Sequence, residues 1–482
     1  MAINTLSFLF TFAIVFILYY LPIPSKKDGA WQNAVLLLSS YFFFGYADWR
    51  MLPLLIGITV VYYFIGIKIE QYQESKIGNC LLTLGIVISI GVLGYFKYLN
   101  FCISVIRDLL QSIGLEVNIH SLKIIMPIGI SFFIFRLISY CIEIHRGMMS
   151  ATRDFITFAT YVAYFPSMLS GPIDRPNIMI PQLEKNKCID LYVATNGMRQ
   201  ILWGMFKKMA IADTLAVFVD ENLVIEQISN VNSLTMILVI CAYTFQIYAD
   251  FSGYSDMAIG VGKLLNIKMA NNFKYPFFAL NIQDFWNRWH VSLTSWMQDY
   301  IFLPLSFSFR EWRKWGLIMA IMINFVTVGV WHGAGWNYVI YGLYHGCLFI
   351  PLLLRGSIKS KYEIRTNCIG LPILVDFGKM LFTFLCVSFG MMIFRTSSLS
   401  AFGLIMKQTW CNWSFNIDYG SVIAWVLVAC MLLVEWFQRN KEFGLDLSSI
   451  KYRTIRWMIY FILLFFIFYL GGGEPHFIYQ VF

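Results

Sequence analysis

Ten stretches of this chain run for fifteen or more residues without a single Asp, Glu, Lys or Arg: residues 1–25, 30–47, 51–67, 78–96, 155–173, 227–249, 316–354, 380–394, 420–434 and 457–473. A helix needs about 20 apolar residues to cross the ~30 Å hydrocarbon layer, so most of these are of crossing length or close to it, and 316–354 suffices for two passes. In lipid every backbone N–H and C=O must find its partner inside the protein, which leaves helices or a closed barrel. Runs this long and continuously apolar, rather than alternating, are helical. The chain is 59% hydrophobic and 13% charged, against about 45–50% and 25% in soluble domains. The expected fold is therefore all-α, a polytopic integral membrane protein forming one membrane-embedded domain over 1–482. Three textures divide it: plain N-terminal spans (1–122), a core broken by Gly, Pro and polar residues (123–354), and C-terminal spans (355–482).

The first run lacks a basic leader and an obvious small-residue cleavage site, and reads as a retained span. Lys26 and Lys27, then Lys68 and Lys76, then His145, Arg146 and Arg153 follow alternate spans. The positive-inside bias makes these loops cytoplasmic and puts the N-terminus outside. The net charge of +9 then reads as loops facing anionic lipid, not as a nucleic-acid surface. Ten scattered cysteines without a Cys-x-x-Cys pair give neither a disulfide framework nor a thiolate metal site. No internal repeat is visible, which counts against a two-halved transporter.

Helix breakers fall inside the apolar core at Met126-Pro-Ile-Gly-Ile-Ser131 and Ser170-Gly-Pro-Ile-Asp-Arg-Pro176. They read either as broken or re-entrant helices lining an internal funnel or as interfacial loops. Asp250, Ser252 and Asp256 close a 23-residue uncharged run. Being six apart, the two aspartates cannot share a helix face; one can line a cavity while the other caps a helix. Residues 282–303 read as one amphipathic helix with Trp286, Trp289, Leu293 and Trp296 on its aromatic face and an Asp284–Arg288 pair at i, i+4. Arg310, Arg313 and Lys314 mark a basic end suited to lipid headgroups or to the phosphates of a donor.

Titratable groups are costly in lipid, so the histidines stand out. Only six occur. His332 in Val330-Trp-His-Gly333 lies 18 residues beyond the nearest preceding charge, Lys314, with Gly333 allowing close backbone approach. A neutral imidazole there can take a proton from a hydroxyl and return it to a leaving group, or can be a buried histidine bonded to a carbonyl. His290 is open between an interfacial histidine bonded to backbone and a partner in the same chemistry. The 42-residue separation and the absence of a local His-x-x-x-His argue against zinc. His345 reads as structural.

At Phe285-Trp-Asn-Arg-Trp-His290-Val-Ser-Leu, Asp299-Tyr-Ile-Phe-Leu-Pro304 and Trp331-His332-Gly333 the chain resembles the membrane-bound O-acyltransferases. Gly94-Tyr-Phe-Lys-Tyr-Leu-Asn100, Pro127-Ile-Gly-Ile-Ser-Phe-Phe133, Gly171-Pro-Ile-Asp-Arg175, Phe206-Lys-Lys208, Asp250-Phe-Ser-Gly-Tyr-Ser-Asp-Met-Ala258 and the closing Phe477–Phe482 resemble its bacterial, alginate O-acetylating branch. The resemblance implies 11–13 helices around a tunnel with the active site near its middle, His332 as the essential histidine and His290 as the second. It also implies an acetyl group drawn from a cytoplasmic thioester, acetyl-CoA or an acyl carrier, with no permanently bound cofactor. Transfer ends on an extracytoplasmic polysaccharide with the help of an esterase-like partner. Asn287, Trp331, Gly333, Asp250, Ser252 and Asp256 are then candidates for tunnel or oxyanion support. Leu305-Ser-Phe-Ser-Phe-Arg310 departs from the Gly-Gly and basic pair expected after the Leu-Pro. Ser170–Arg175 is also similar to the branch that transfers D-alanine to teichoic acids, the alternative enzyme; a polymer or lipid transporter is the alternative outside enzymes.

Overall fold

Helix is the only regular structure among the residues that the computed structural model describes, 3–23, 27–115, 120–168, 171–224, 228–358 and 362–471, apart from one isolated bridge between Thr366 and Pro372. Lys26, Ser170 and the closing 477–482 motif lie outside them. Seven helical stretches among these residues are long and apolar enough to cross a membrane. The count understates the passes: the 42-residue stretch Ala30–Gln71 would be ~63 Å long at 1.5 Å per residue, twice a hydrocarbon core. It breaks at Asp48, whose backbone is extended and whose carboxylate accepts the Arg50 N–H.

The chain packs as two compact units, residues 1–198 with 258–270, and 199–257 with 271–482. In the first, the helices are α1 (Leu6–Tyr19), α2 (Ala30–Asp48), α3 (Leu52–Gln71), α4 (Lys76–Leu93), α5 (Leu99–Ser112), α6 (Ile130–His145), α7 (Phe155–Ala163), α8 (Phe165–Met168) and α9 (Pro176–Leu183). Residues 155–173 are apolar enough to pass for a span, but 155–168 form the short helices α7 and α8, bent at Tyr164. The bend falls before the Ser170–Pro176 breakers, of which residues 171–175 form no helix. The freed carbonyls are satisfied by protein: buried Arg136 of α6 donates to Tyr161 O at 3.1 Å and Val162 O at 3.0 Å, and also to Ser167 Oγ. A guanidinium can do this because its donors fan out in one plane. Asp174, in the Gly-Pro-Ile-Asp loop, accepts the Ala270 N–H at 2.9 Å.

The remaining helices are α10 (Leu191–Met205), α11 (Asp213–Asn222), α12 (Ser233–Leu264), α13 (Ile282–Trp286), α14 (Val291–Met297), α15 (Leu303–Ser308), α16 (Arg313–His332), α17 (Trp336–Leu354), α18 (Leu374–Arg395), α19 (Leu399–Cys411), α20 (Val422–Phe437) and α21 (Arg453–Leu470), with α10 and α12 contributing to both units. In the second unit α16 and α17 form an antiparallel hairpin against which α18 packs. Apolar outward faces such as Phe461, Phe465 and Phe468 on α21 have lipid as their natural solvent.

Candidate active site

His332 is the last residue of α16, and three residues separate it from α17. The helix is 20 residues long, so His332 stands ~30 Å from the basic Arg313 end, a full hydrocarbon thickness. Its imidazole is buried and ringed edge-on by Trp331, Phe394 of α18 and Tyr341 of α17, at 4.9, 5.1 and 6.2 Å between ring centres. Asn337 ties the α17 start to the α18 end by donating to Thr396 O at 2.9 Å. Gly333 is required by space and not by backbone angle: a Cβ there would sit 2.1 Å from the Tyr338 ring.

The single amphipathic helix expected over 282–303 does not form. The segment breaks after α13, turns, restarts as α14 and loosens into a π-helical turn at Gln298–Phe302. The break falls on His290, whose φ of 44° lies in the left-handed region, a costly conformation that persists only where the surroundings enforce it. Those surroundings are visible. Val291 N–H donates to Asn272 O at 2.8 Å, Lys274 N–H donates to Arg288 O at 2.9 Å, and the buried Asn272 side chain engages Ser255 and Ser292. Asp284 and Arg288 pair at 2.8 Å as the spacing predicts. Period-3.6 reasoning misses the break because the three tryptophans are buried all the same.

The turn drives the His290 ring inward. It is 1% exposed, edge-on to Phe251 at 4.6 Å and to Trp331 at 5.9 Å, and neither ring nitrogen has a hydrogen-bond partner among the described residues. Among the described residues no backbone carbonyl accepts from this ring. Trp331 thus touches both His332 and His290, two imidazoles brought to one indole across 42 residues of sequence.

The other expected residues separate. Asn287 closes α13 with an exposed side chain. Asp250, Ser252 and Asp256 flank Phe251 on α12 but turn to two buried lysines of the π-helical turn Phe206–Ala212. Lys208 pairs with Asp250 at 2.8 Å and Asp213 at 2.6 Å; Lys207 pairs with Asp256 at 2.7 Å and donates to Ser252 at 2.9 Å. These carboxylates therefore tie α12 to the Phe206–Ala212 turn. Arg310, Arg313 and Lys314 are exposed at the far end of α16, Arg310 lying 4.4 Å over the Phe307 ring. Composition and spacing gave no hint of Asn272, Phe394 or Tyr341; the lysines were visible only within a motif.

Buried, edge-packed imidazoles at a membrane-length hairpin, held by a strained turn, suit proton transfer at a hydroxyl in a water-poor chamber. The model of the membrane-bound O-acyltransferase family matches residues 150–394, which include both histidines and their whole ring of neighbours, and the chain belongs to that family. It is an O-acyltransferase. The chain is 37% identical over 400 residues to a probable alginate O-acetylase of Pseudomonas putida, covering 81% of this chain and 76% of that one. It is 32% identical over 370 residues to a peptidoglycan O-acetyltransferase of Helicobacter pylori (71% and 68% covered), and 29% identical over 311 residues to a teichoic acid D-alanyltransferase of Bacillus subtilis (60% and 78%).

Proposed function

We propose that this enzyme takes an acetyl group from a thioester, acetyl-CoA or an acyl carrier, and delivers it to a hydroxyl for O-acetylation of a polysaccharide outside the bacterial cytoplasmic membrane. An extracytoplasmic esterase-like protein is the expected partner in the last transfer. The meeting of His290 and His332 at Trp331 carries the reading. Relatives named for acetylating alginate and peptidoglycan support acetyl and polymer. Arg313 and Lys314 at the start of α16 and Arg355 beyond α17 support a cytoplasmic placing for that end, with His332 toward the acceptor.

In this mechanism a neutral His332 removes the proton of the acceptor hydroxyl as its oxygen attacks the thioester carbonyl. The tetrahedral oxyanion accepts a hydrogen bond from the His290 N–H, and the strained turn aims that donor before the charge appears. Collapse breaks the C–S bond, and the thiolate leaves with the proton held on His332. Apolar rings exclude water, protecting the thioester from hydrolysis. Asp250, Ser252 and Asp256 act at a distance, by holding α12. Arg310, Arg313 and Lys314 would meet donor or lipid phosphates at the membrane face.

The test is purified enzyme in proteoliposomes supplied with labelled acetyl thioester, its partner and polymer. His332→Ala is expected to abolish transfer while the protein inserts normally. Transfer surviving in His332→Ala overturns the assignment; polymer movement without donor consumption makes the protein a transporter, and use of a D-alanyl carrier alone makes it a D-alanyl transferase.

A further inference from the structure

We infer that His345 is a positioning residue of this active site, keying the segment that carries His290 to the hairpin that carries His332; the inference rests on the acyl-transfer reading above. His345 lies in the middle of α17, 0% exposed, with rings on four sides: Tyr341 at 4.6 Å, Trp286 at 5.2 Å, Tyr344 at 5.4 Å and Phe325 at 6.5 Å between centres. Helix α18 closes the remaining side. A Cβ on Gly390 would stand 2.6 Å from His345 Nε2, so only glycine lets that helix approach. Neither imidazole nitrogen has a hydrogen-bond partner among the described residues, and neither does the indole Nε1 of Trp286.

Three partnerless polar nitrogens in one enclosed place inside a membrane span are a poor way to fill space. Each forgone hydrogen bond costs about 1–3 kcal/mol, and a Phe would occupy the same volume without that cost. The two neighbours explain the choice. Trp286 is in α13, four residues before His290, and Tyr341 packs against His332. His345 therefore stands between the two segments whose relative placing sets the distance between the catalytic imidazoles. A neutral imidazole offers one acceptor nitrogen and the Trp286 indole offers one donor, with ring centres 5.2 Å apart and planes at 87°. The two are not bonded in this structure; α13 closing onto the α16–α17 hairpin pairs them, and that bond exists only if both partners are present.

The experiment uses full-length protein in proteoliposomes with acetyl thioester, comparing wild type, His332→Ala, His345→Phe, His345→Gln, Trp286→Phe and the His345→Phe/Trp286→Phe pair. Phe keeps the ring volume of His345, so the melting temperature of His345→Phe is expected to stay at or above wild type, while Trp286→Phe, which trims a buried indole, is expected to lower it. Loss of alignment is expected to lower kcat about tenfold or more with KM for the thioester unchanged. The double variant should be no worse than either single one, and Gln, which retains an acceptor, should recover most of the rate. His345→Phe with kcat within about twofold of wild type, a loss that follows melting temperature, or single effects that multiply in the double variant overturn the positioning role. The two failures are separable. Absence of transfer by wild type, or retention by His332→Ala, overturns the functional reading itself; normal behaviour of those two with an active His345→Phe overturns only this inference.

Discussion

Gly333→Ala tests how tightly the chamber is built. Gly333 has extended backbone, φ −169° and ψ 165°, which alanine adopts without strain, so the substitution acts through one methyl group alone. That methyl would lie 2.1 Å from the Tyr338 ring, and the wall or the chain must retreat by about 1.3 Å to reach the 3.4 Å of ordinary van der Waals contact. Tyr338 packs on Phe394 at 5.4 Å, and Phe394 packs on His332 at 5.1 Å, so the displacement passes to the imidazole. A misplacement of about 1 Å costs on the order of 100-fold in rate where reacting groups must be aligned. Acetyl transfer in proteoliposomes is therefore expected to lose about 100-fold in kcat with little change in KM for the thioester. Removing the wall in Gly333→Ala/Tyr338→Ala should recover a large part. Gly333→Ala within about threefold of wild-type kcat would refute the reasoning.

Asp250→Ala removes one of the carboxylates paired with Lys208, which is 3% exposed, and leaves Asp213 in place; since breaking a buried pair costs roughly 3–5 kcal/mol and other pairing remains, a loss of about 3 kcal/mol is expected. Thermal or denaturant unfolding in detergent checks this, and Lys208→Met added to Asp250→Ala should restore stability. His290→Asn should fold normally, because Asn tolerates the left-handed conformation, while kcat falls about 100- to 1,000-fold for loss of an oxyanion donor; unchanged kcat would remove His290 from the mechanism. Asn272→Ala should lower the unfolding free energy by about 1–3 kcal/mol, since Ser255 and Ser292 lose a buried partner, and should lower kcat further by loosening the His290 turn. Arg310→Gln/Arg313→Gln/Lys314→Gln should raise the donor KM and flatten its salt dependence with kcat preserved; an unaltered KM would mean that these residues do not meet donor phosphates.

Much of the architecture was readable from local chemistry. Charge-free runs announce helices in lipid, and a His with no charge within a span's length announces chemistry, because both follow from the cost of exposing polar groups to hydrocarbon. The Asp284–Arg288 pair followed from helical spacing. Reading failed where several residues far apart in sequence decide one another. Residues 155–173 look like a span, but 155–168 fold as a bend because Arg136, from another helix, supplies the donors that the freed carbonyls need. Residues 282–303 look like one helix and break at His290 because Asn272 and Lys274 hold the turn. Asp250 and Asp256 look like candidates for the tunnel, and two lysines some fifty residues earlier claim them.

The sequence by itself determined the solvent this protein folds in, the helical class, the family and the two histidines worth testing, since burial cost, hydropathy and motif order are properties of the chain. Only the tertiary structure decided which groups meet. It set His290 and His332 about one indole, gave the first a left-handed backbone turn, left Asn287 exposed, and enclosed His345 among rings from the segments that carry the two histidines. The physical reason is that hydrogen-bond satisfaction and ring packing in a membrane protein are settled between helices, and no local pattern records a partner one hundred residues away.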